Sequence, residues 1–398
     1  MKNDVKIITL FAALGSTAGS MLMPYIPLYG QEIGMPIALI GYLVFVYYIS
    51  EMTARIPMGS MTGVMGDNTV ISAGGAFFFI SSVLYLLSDA IWPFIFTAQI
   101  FLALGFSVTW VTIPSYVTRA GGSLPVFTFS IGLGWLFGPL IGGLVRDVLS
   151  MYHLFLVYFA MSIGICILAF MFLKSRTQNY NKSKNIRRNL NFKKGRYWLE
   201  KILNSSLESF KKSYVIFGSN KEVFIATTIS FVVFMAFAIF NSLIPLHLES
   251  VGFTSFMIGI FTATNTAASS FVRLSSDRII NRGGIYNSLF LGTLIVGISI
   301  FILAFLANAK ALILLSVISG LGLGIFHPVV FDLIAKGTNK EDRGVGMGLR
   351  GTVGTAGSAI GVVIFTNIAD FSSIPISIAI FGIFMSIFTI LMIVLYSD

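Results

Sequence analysis

Long runs without a charge, separated by short polar breaks, set the pattern of this chain. Residues 69–88 (TVISAGGAFFFISSVLYLLS) and 373–396 carry no charged side chain, and each has the roughly 20 residues a helix needs to cross a bilayer. Lipid offers the backbone no hydrogen bonds, so such a run must be helical. The apolar runs and their Gly/Pro punctuation predict twelve spans. Six fall near 6–28, 37–59, 69–88, 91–117, 127–146 and 152–173. The other six fall near 223–246, 254–276, 285–307, 310–335, 344–368 and 373–396. The predicted fold is therefore an all-α polytopic membrane protein.

Composition agrees. Of 398 residues 56% are hydrophobic and only 11% charged, with a mean hydropathy of +0.89; a soluble chain carries about a quarter charged residues. The one cysteine, Cys166, lies inside a span and reads as a packing residue. Charge is concentrated. Residues 174–222 hold 13 Lys/Arg against 3 Glu, which accounts for the whole net charge of +10. A basic segment between spans marks the cytoplasmic side and gives no reason to invoke nucleic acid. Both termini are then cytoplasmic as well, in the cell membrane. Within the segment Trp198, Leu199, Ile202, Leu203, Leu207 and Phe210 recur near helical spacing among lysines. That pattern suits either an amphipathic helix on the inner leaflet or a tether whose charge only fixes topology.

The two halves share a phrase. Residues 26–41 read IPLYGQEIGMPIALIG and 244–259 read IPLHLESVGFTSFMIG. With the offset of 218 held fixed, Arg55 meets Arg273 and Gly66 meets Gly284. Both copies leave the first span of their half, cross a short turn and end beyond the second. This predicts two pseudo-symmetric six-helix bundles, 1–173 and 223–398, joined by the basic linker 174–222, a known route to a transporter.

The segment after the second span, RIPMGSMTGVMGDN, and its counterpart RLSSDRIINRGG resemble the loop motif of the major facilitator superfamily. Arg55, Pro57, Gly59 and Gly66 match it, while Gly63 and Val64 replace its Asp-Arg pair and Asp67 stands where a basic residue is usual. The second copy keeps Arg273, Arg282 and Gly284, with Asp277 at the first Gly position. GWLFGPLIGG, residues 134–143, is similar to the fifth-span motif of the family's proton-driven exporters. Gly134, Gly138 and Gly142 share a helix face that permits close approach, Gly143 extends it, and Pro139 removes a backbone donor. One feature departs from that class: Phe101 stands where its fourth-span motif has Arg, with only Gln99 polar nearby. The resemblance implies rocker-switch alternating access, with the inner ends of the second and eleventh spans meeting across the halves.

Charges inside spans are costly and so are candidates for function. Glu51 lies one turn from Arg55, where it can neutralise that arginine or take up a proton. With Asp332 and Arg350, the two form a candidate inter-bundle network. His327, before Pro328 in a span that lines the family's cavity, can bind a proton, bind substrate or simply pack. Asn265, Trp110, Tyr25 and Phe231, Phe234 and Phe237 are further candidate cavity walls. His153 and His247 fall at the outer surface.

No Gly-rich phosphate loop, metal-ligand spacing or nucleophile–base pair stands out, so neither a cofactor nor an enzyme is expected. The expected function is secondary transport of a small solute by a monomer in contact with lipid. Proton-coupled export of an apolar or weakly polar compound leads, ahead of symport or facilitated passage of a sugar, carboxylate or amino acid. A membrane sensor ranks lower.

Overall fold

Glycines in a positive-φ backbone that other residues rarely adopt mark the ends of the first helices in each half. A computed structural model of the chain describes residues 2–180, 215–339 and 342–396. Gly34 and Gly252 have φ of 79° and 92°, and Gly66 and Gly284 have 85° and 77°. These are pairs at the 218-residue offset. A side chain would strain all four positions, which explains why glycine is among the few identities the repeat retains.

Helix α1 runs Lys2–Leu22 and, after a break, continues as Ile26–Glu32. Helix α7 does the same, Lys221–Phe240 then Leu243–Ser250. The repeated Ile-Pro-Leu thus opens the last turns of the first span of each half and is not itself the turn; proline suits a helix's first positions because its missing N–H has no partner there. The remaining spans of the first half are α2 (Ile37–Met65), α3 (Asp67–Ser88), α4 (Phe94–Arg119), α5 (Leu124–Val148) and α6 (Met151–Tyr180). Those of the second are α8 (Ser255–Arg273), α9 (Ile285–Leu303), α10 (Ala309–Lys336), α11 (Arg343–Phe371) and α12 (Ile374–Tyr396), with a short helix Ser276–Gly283 before α9. The predicted elements are present, with ends shifted by a few residues. Helix α4 carries a π turn at Val108–Thr112, one turn before Pro114, whose missing N–H leaves a carbonyl without its helical partner.

Eleven of these helices are long and apolar enough to cross a membrane. The twelfth, α8, carries Thr262, Thr264, Asn265, Thr266, Ser269 and Ser270 and turns them largely to other uses. Thr264 and Asn265 bond to Ser316 and Ser319 of α10, a polar brace of the kind that holds membrane helices together. Within the first half α1 packs on α5 and α6, α3 on α4 and α6, and α2 on α4. Within the second, α7 packs on α11, α8 on α10, and α9 on α10 and α12. Two long seams join the halves, α2 against α11 and α5 against α8. The even number of spans puts both termini on one face, together with the ends that 181–214 connect. We call this the linker face. The amphipathic pattern at 198–210 lies outside the described residues.

Candidate functional site between the two halves

At the face opposite the linker, the halves are bolted together. The α5 stripe Gly134, Gly138 and Gly142 packs on α1, where backbone and side-chain atoms of residues 13–25 occupy the space a Cβ would need. Gly143 and Pro139 instead meet α8. The Ser255 carbonyl fills the Cβ position of Gly143, and the Pro139 carbonyl that of Gly259. Tyr25 closes the joint, its hydroxyl lying 2.6 Å from the Pro139 carbonyl and 3.1 Å from that of Ser255. One hydroxyl proton is thus shared between two carbonyls from different halves.

The two charges at the end of α5 complete the latch. Asp147 accepts from the backbone N–H groups of Ser255 and Phe256, each at 2.8 Å, so a carboxylate of one half caps the first turn of a helix in the other. Arg146 donates to Glu249 at 3.0 Å and to Ser255 Oγ at 2.7 Å, and reaches Glu32 at 3.5 Å. Its side chain is only 11% exposed, while those of Glu249 and Glu32 keep 35% and 56%, so these pairs are partly buried and partly screened. On the other seam the Thr366 hydroxyl lies where a side chain on Gly41 would be, and the Ala38 N–H points at Asp370 at 3.4 Å. Sequence reasoning passed over this latch. A signal existed: Glu32 and Glu249 follow the repeated Ile-Pro-Leu by four and three residues.

Below the latch lies a small cavity of about 20 Å³, lined by Met23, Ile26, Val44, Tyr47, Tyr48, Gln99, Leu102 and Asn241. Both halves contribute to it. Gln99 is therefore a wall residue, while Phe101 lies tilted against Phe77 at 6.1 Å between ring centres. One turn further toward the linker face, Glu51 is 5% exposed. It lies eleven residues from Thr62, about 16 Å along the helix, which is near the middle of a hydrocarbon layer roughly 30 Å thick. Arg55 Nη2 donates to Glu51 at 2.7 Å. Its other terminal nitrogen occupies the space a Cβ on Gly351 of α11 would need, so this ion pair sits in the α2–α11 seam.

Beside Gly351, Arg350 is buried, with 7% exposure. It donates to His327 Nδ1 at 3.1 Å, which makes the ring an acceptor there and places the ring proton on Nε2. Its guanidinium lies over Phe234, Phe326 and Phe331 at 5.4, 5.4 and 4.8 Å, contacts that stabilise a cation by about 0.5–2 kcal/mol each. No carboxylate among the described residues pairs with Arg350. The charges of Arg55 and Arg273 are near enough to act on it. The seam is therefore a cationic cluster with one resident carboxylate, Glu51.

The sequence candidates divide accordingly. Glu51, Arg55, His327 and Arg350 come together. Asp332 does not join them: it pairs with Lys336 on its own helix at 3.1 Å and is 43% exposed. Arg273 ends α8 and bonds to Ser269. Asp67 pairs with Arg119, Gly59 faces Val111, and Arg282 is exposed on the short helix before α9. The side chain of Asp277 lies outside the described residues. Asn265 belongs to the α8–α10 brace and Trp110 is 39% exposed at the π turn of α4, so neither lines the cavity. His247, expected at the surface, is 2% exposed, because the second part of α7 packs against α12. His153 is exposed and bonds to Ser150.

Two bundles of membrane helices meeting at a polar seam, sealed at one face, define a secondary transporter. The chain belongs to the Major Facilitator Superfamily, whose profile matches residues 8–362 and 288–398. It is 24% identical to an uncharacterised transporter of this superfamily from Methanocaldococcus jannaschii, over 93% of this chain and 92% of that one. It is 21% identical to the proton-coupled antiporter flippase LtaA of Staphylococcus saprophyticus, over 93% and 88%. Among solved structures, the nucleoside transporter NupG superposes with a TM-score of 0.74 at 14% identity, each chain covered in full. The human organic anion transporter MFSD10 gives 0.65 at 13%, with 98% of each covered. At such identities these structural likenesses show the fold.

Proposed function

We propose that the chain carries a small solute across the cell membrane by rocker-switch alternating access, coupled to protons, with export as the direction of transport. The moving units are 1–173 and 223–398, and the linker face is cytoplasmic because 174–222 carries the basic excess. The observation that carries the reading is the latch: Arg146, Asp147 and Tyr25 tie the halves at the far face, which leaves the cytoplasmic side as the one for loading. The exporter-type sequence of α5 supplies the close α5–α8 seam, and the relative named as a proton-coupled antiporter flippase supports the same direction. Glu51 is the proton carrier in this reading, since it is the one buried carboxylate near mid-membrane among the described residues.

Reconstituted protein in liposomes with an imposed pH gradient tests it. Export by exchange requires solute to move against the proton flow and requires Glu51→Gln to abolish the response. A solute that moves at the same rate without any gradient would sink the coupling. A second reading, symport of a small metabolite bearing negative charge, is favoured by the cationic seam around Arg350. The two readings differ in sign: a symported solute moves with the protons.

A further inference from the structure

The end of α11 repeats the end of α5. In each an aspartate precedes the last helical residue, Asp147 before Val148 and Asp370 before Phe371. The next residues leave the helix in the same way, Leu149 at φ −120°, ψ −92° and Ser372 at φ −123°, ψ −89°. Each sends its N–H to the carbonyl four residues back, and a new span begins two residues on, at Met151 and at Ile374. The helices that face these ends are related as well. Ala38 of α2 and Phe256 of α8 are partners at the 218-residue offset, and so are Gly41 and Gly259, the glycines that let each seam close. The α2–α11 joint is therefore built on the plan of the α5–α8 joint, with the halves exchanged.

The two joints differ in strength. Asp147 accepts from two amides of α8 at 2.8 Å each, and Arg146 adds an ion pair to Glu249 at 3.0 Å. Asp370 reaches one amide of α2, that of Ala38, at 3.4 Å, longer than a well-formed N–H···O bond. In the place of Arg146 stands Ala369, which is buried and has no charge to pair. Helix α8 has a cap of its own, Thr254 accepting from Met257, whereas α2 starts after Pro36, which offers no side-chain acceptor. Asp370 is the carboxylate that meets the partial positive charge at the first turn of α2.

We propose that Asp370 is the second anchor of the far-face closure, a weaker counterpart of Asp147 whose hold on the first turn of α2 sets how readily the halves part on that side. Its part in transport rests on the alternating-access reading, while its effect on opening is read without any flux. An exposed carboxylate on one amide loses little on leaving, because water replaces the bond. The α2–α11 joint is therefore the one that yields more easily.

Thiol labelling of the full-length protein tests this, in a Cys166→Ser background because Cys166 is the one native thiol. Thr366 is fully buried and faces Gly41 across the α2–α11 seam. The thiol of Thr366→Cys should therefore react with a water-soluble reagent only when that seam opens. Asp370→Asn should raise the labelling rate about two- to tenfold, as loss of one weak bond does. Asp147→Asn should raise it further, since rigid halves open both seams together and that variant gives up two short bonds. Asp370→Glu keeps the charge and should label like the parent. The melting temperature should move by no more than about 2 °C in either Asp370 variant, because the residue is exposed. If Thr366→Cys does not fold, a thiol at the buried position of Ile258 on the other seam takes its place. Equal labelling in the parent and Asp370→Asn would overturn the anchor. So would Asp370→Glu labelling as fast as Asp370→Asn, because the charge would then not be what holds the joint. Faster labelling in Asp370→Asn, in a protein that moves no solute along a pH gradient, supports the anchor and removes the transport reading. Proton-linked flux with labelling unmoved by Asp370→Asn does the reverse.

Discussion

The two places where the halves meet are built by opposite rules. At the far face the charges have partners across the seam, Arg146 with Glu249 and Ser255 and Asp147 with two backbone amides, and Glu32 adds a partner for Arg146 from its own half. At the α2–α11 seam the charges are in surplus, with Arg350 held by aromatic rings and a histidine and two guanidinium Nε atoms unmet. A paired network fixes one arrangement. An under-paired one leaves free energy to be gained when a ligand or proton arrives, about 1–3 kcal/mol for each unmet donor. The contrast is between a joint held in one arrangement and a seam that can still gain partners.

The sharpest way to break that division is to prise the latch apart sterically. Gly143→Leu puts a side chain where the Ser255 carbonyl now lies, and a buried overlap with backbone cannot be relieved by a rotamer change. The α5–α8 seam should open at the far face while α5 keeps its packing on α1. Transport should fall more than tenfold with little change in expression, and a cysteine at Ile258, buried one turn into α8, should become reactive to a water-soluble thiol reagent. Gly138→Leu is the contrast, because that glycine packs within the first half, against Thr17 and Ser20. It should lower yield and melting temperature. If both variants simply unfold, the seam has no separate role.

Charge removal at the latch is the next largest effect. Asp147→Asn keeps the shape but gives up the anion at the α8 N-terminus, and Arg146→Gln leaves Glu249 without its main partner. Each should favour opening at the far face by about 1–3 kcal/mol, from the loss of charged hydrogen bonds. That is a shift of roughly five- to 150-fold in the balance of states. Thiol accessibility at the buried position of Ile258 in cysteine-substituted protein measures it. The double variant should show less than the summed effect, since both side chains grip Ser255. Full additivity would mean two independent contacts.

At the under-paired seam, Glu51→Gln should leave the fold intact and remove the response of flux to a pH gradient. The glutamine still reaches Arg55 but carries no proton through the cycle. Unchanged proton dependence would move that role away from Glu51, with His327 next in line.

How much of this was legible in the chain follows from the physics of each part. The spans were, because lipid forces long apolar runs into helices. The repeat was, because turns that need positive φ preserved glycine at Gly34, Gly66, Gly252 and Gly284 while nearly everything else drifted. The Glu51–Arg55 pair was, because a one-turn spacing is local. The latch was not, since Arg146 and Glu249 stand 103 residues apart and each reads as an ordinary charge at a helix end. Nor was the setting of Arg350, whose neighbours come from α7 and α10. Asp332 misled for the same reason in reverse, its depth in sequence saying nothing about which way it faces.

That residue supplies the smallest effect. Asp332 pairs with Lys336 one turn away, and the two side chains are 43% and 57% exposed. Exposed pairs of this spacing contribute about 0.3–0.5 kcal/mol. Asp332→Asn should therefore change the melting temperature by no more than about 1–2 °C, on the scaling for large chains, and leave flux and its proton dependence as they are. The variant still bears on the comparison, because the charge balance of the seam excludes Asp332. Were its removal to alter proton coupling as Glu51→Gln does, the carboxylate would have to swing into the cluster during the cycle. The seam would then hold two carboxylates in one of its states, and Arg350 would gain a partner there.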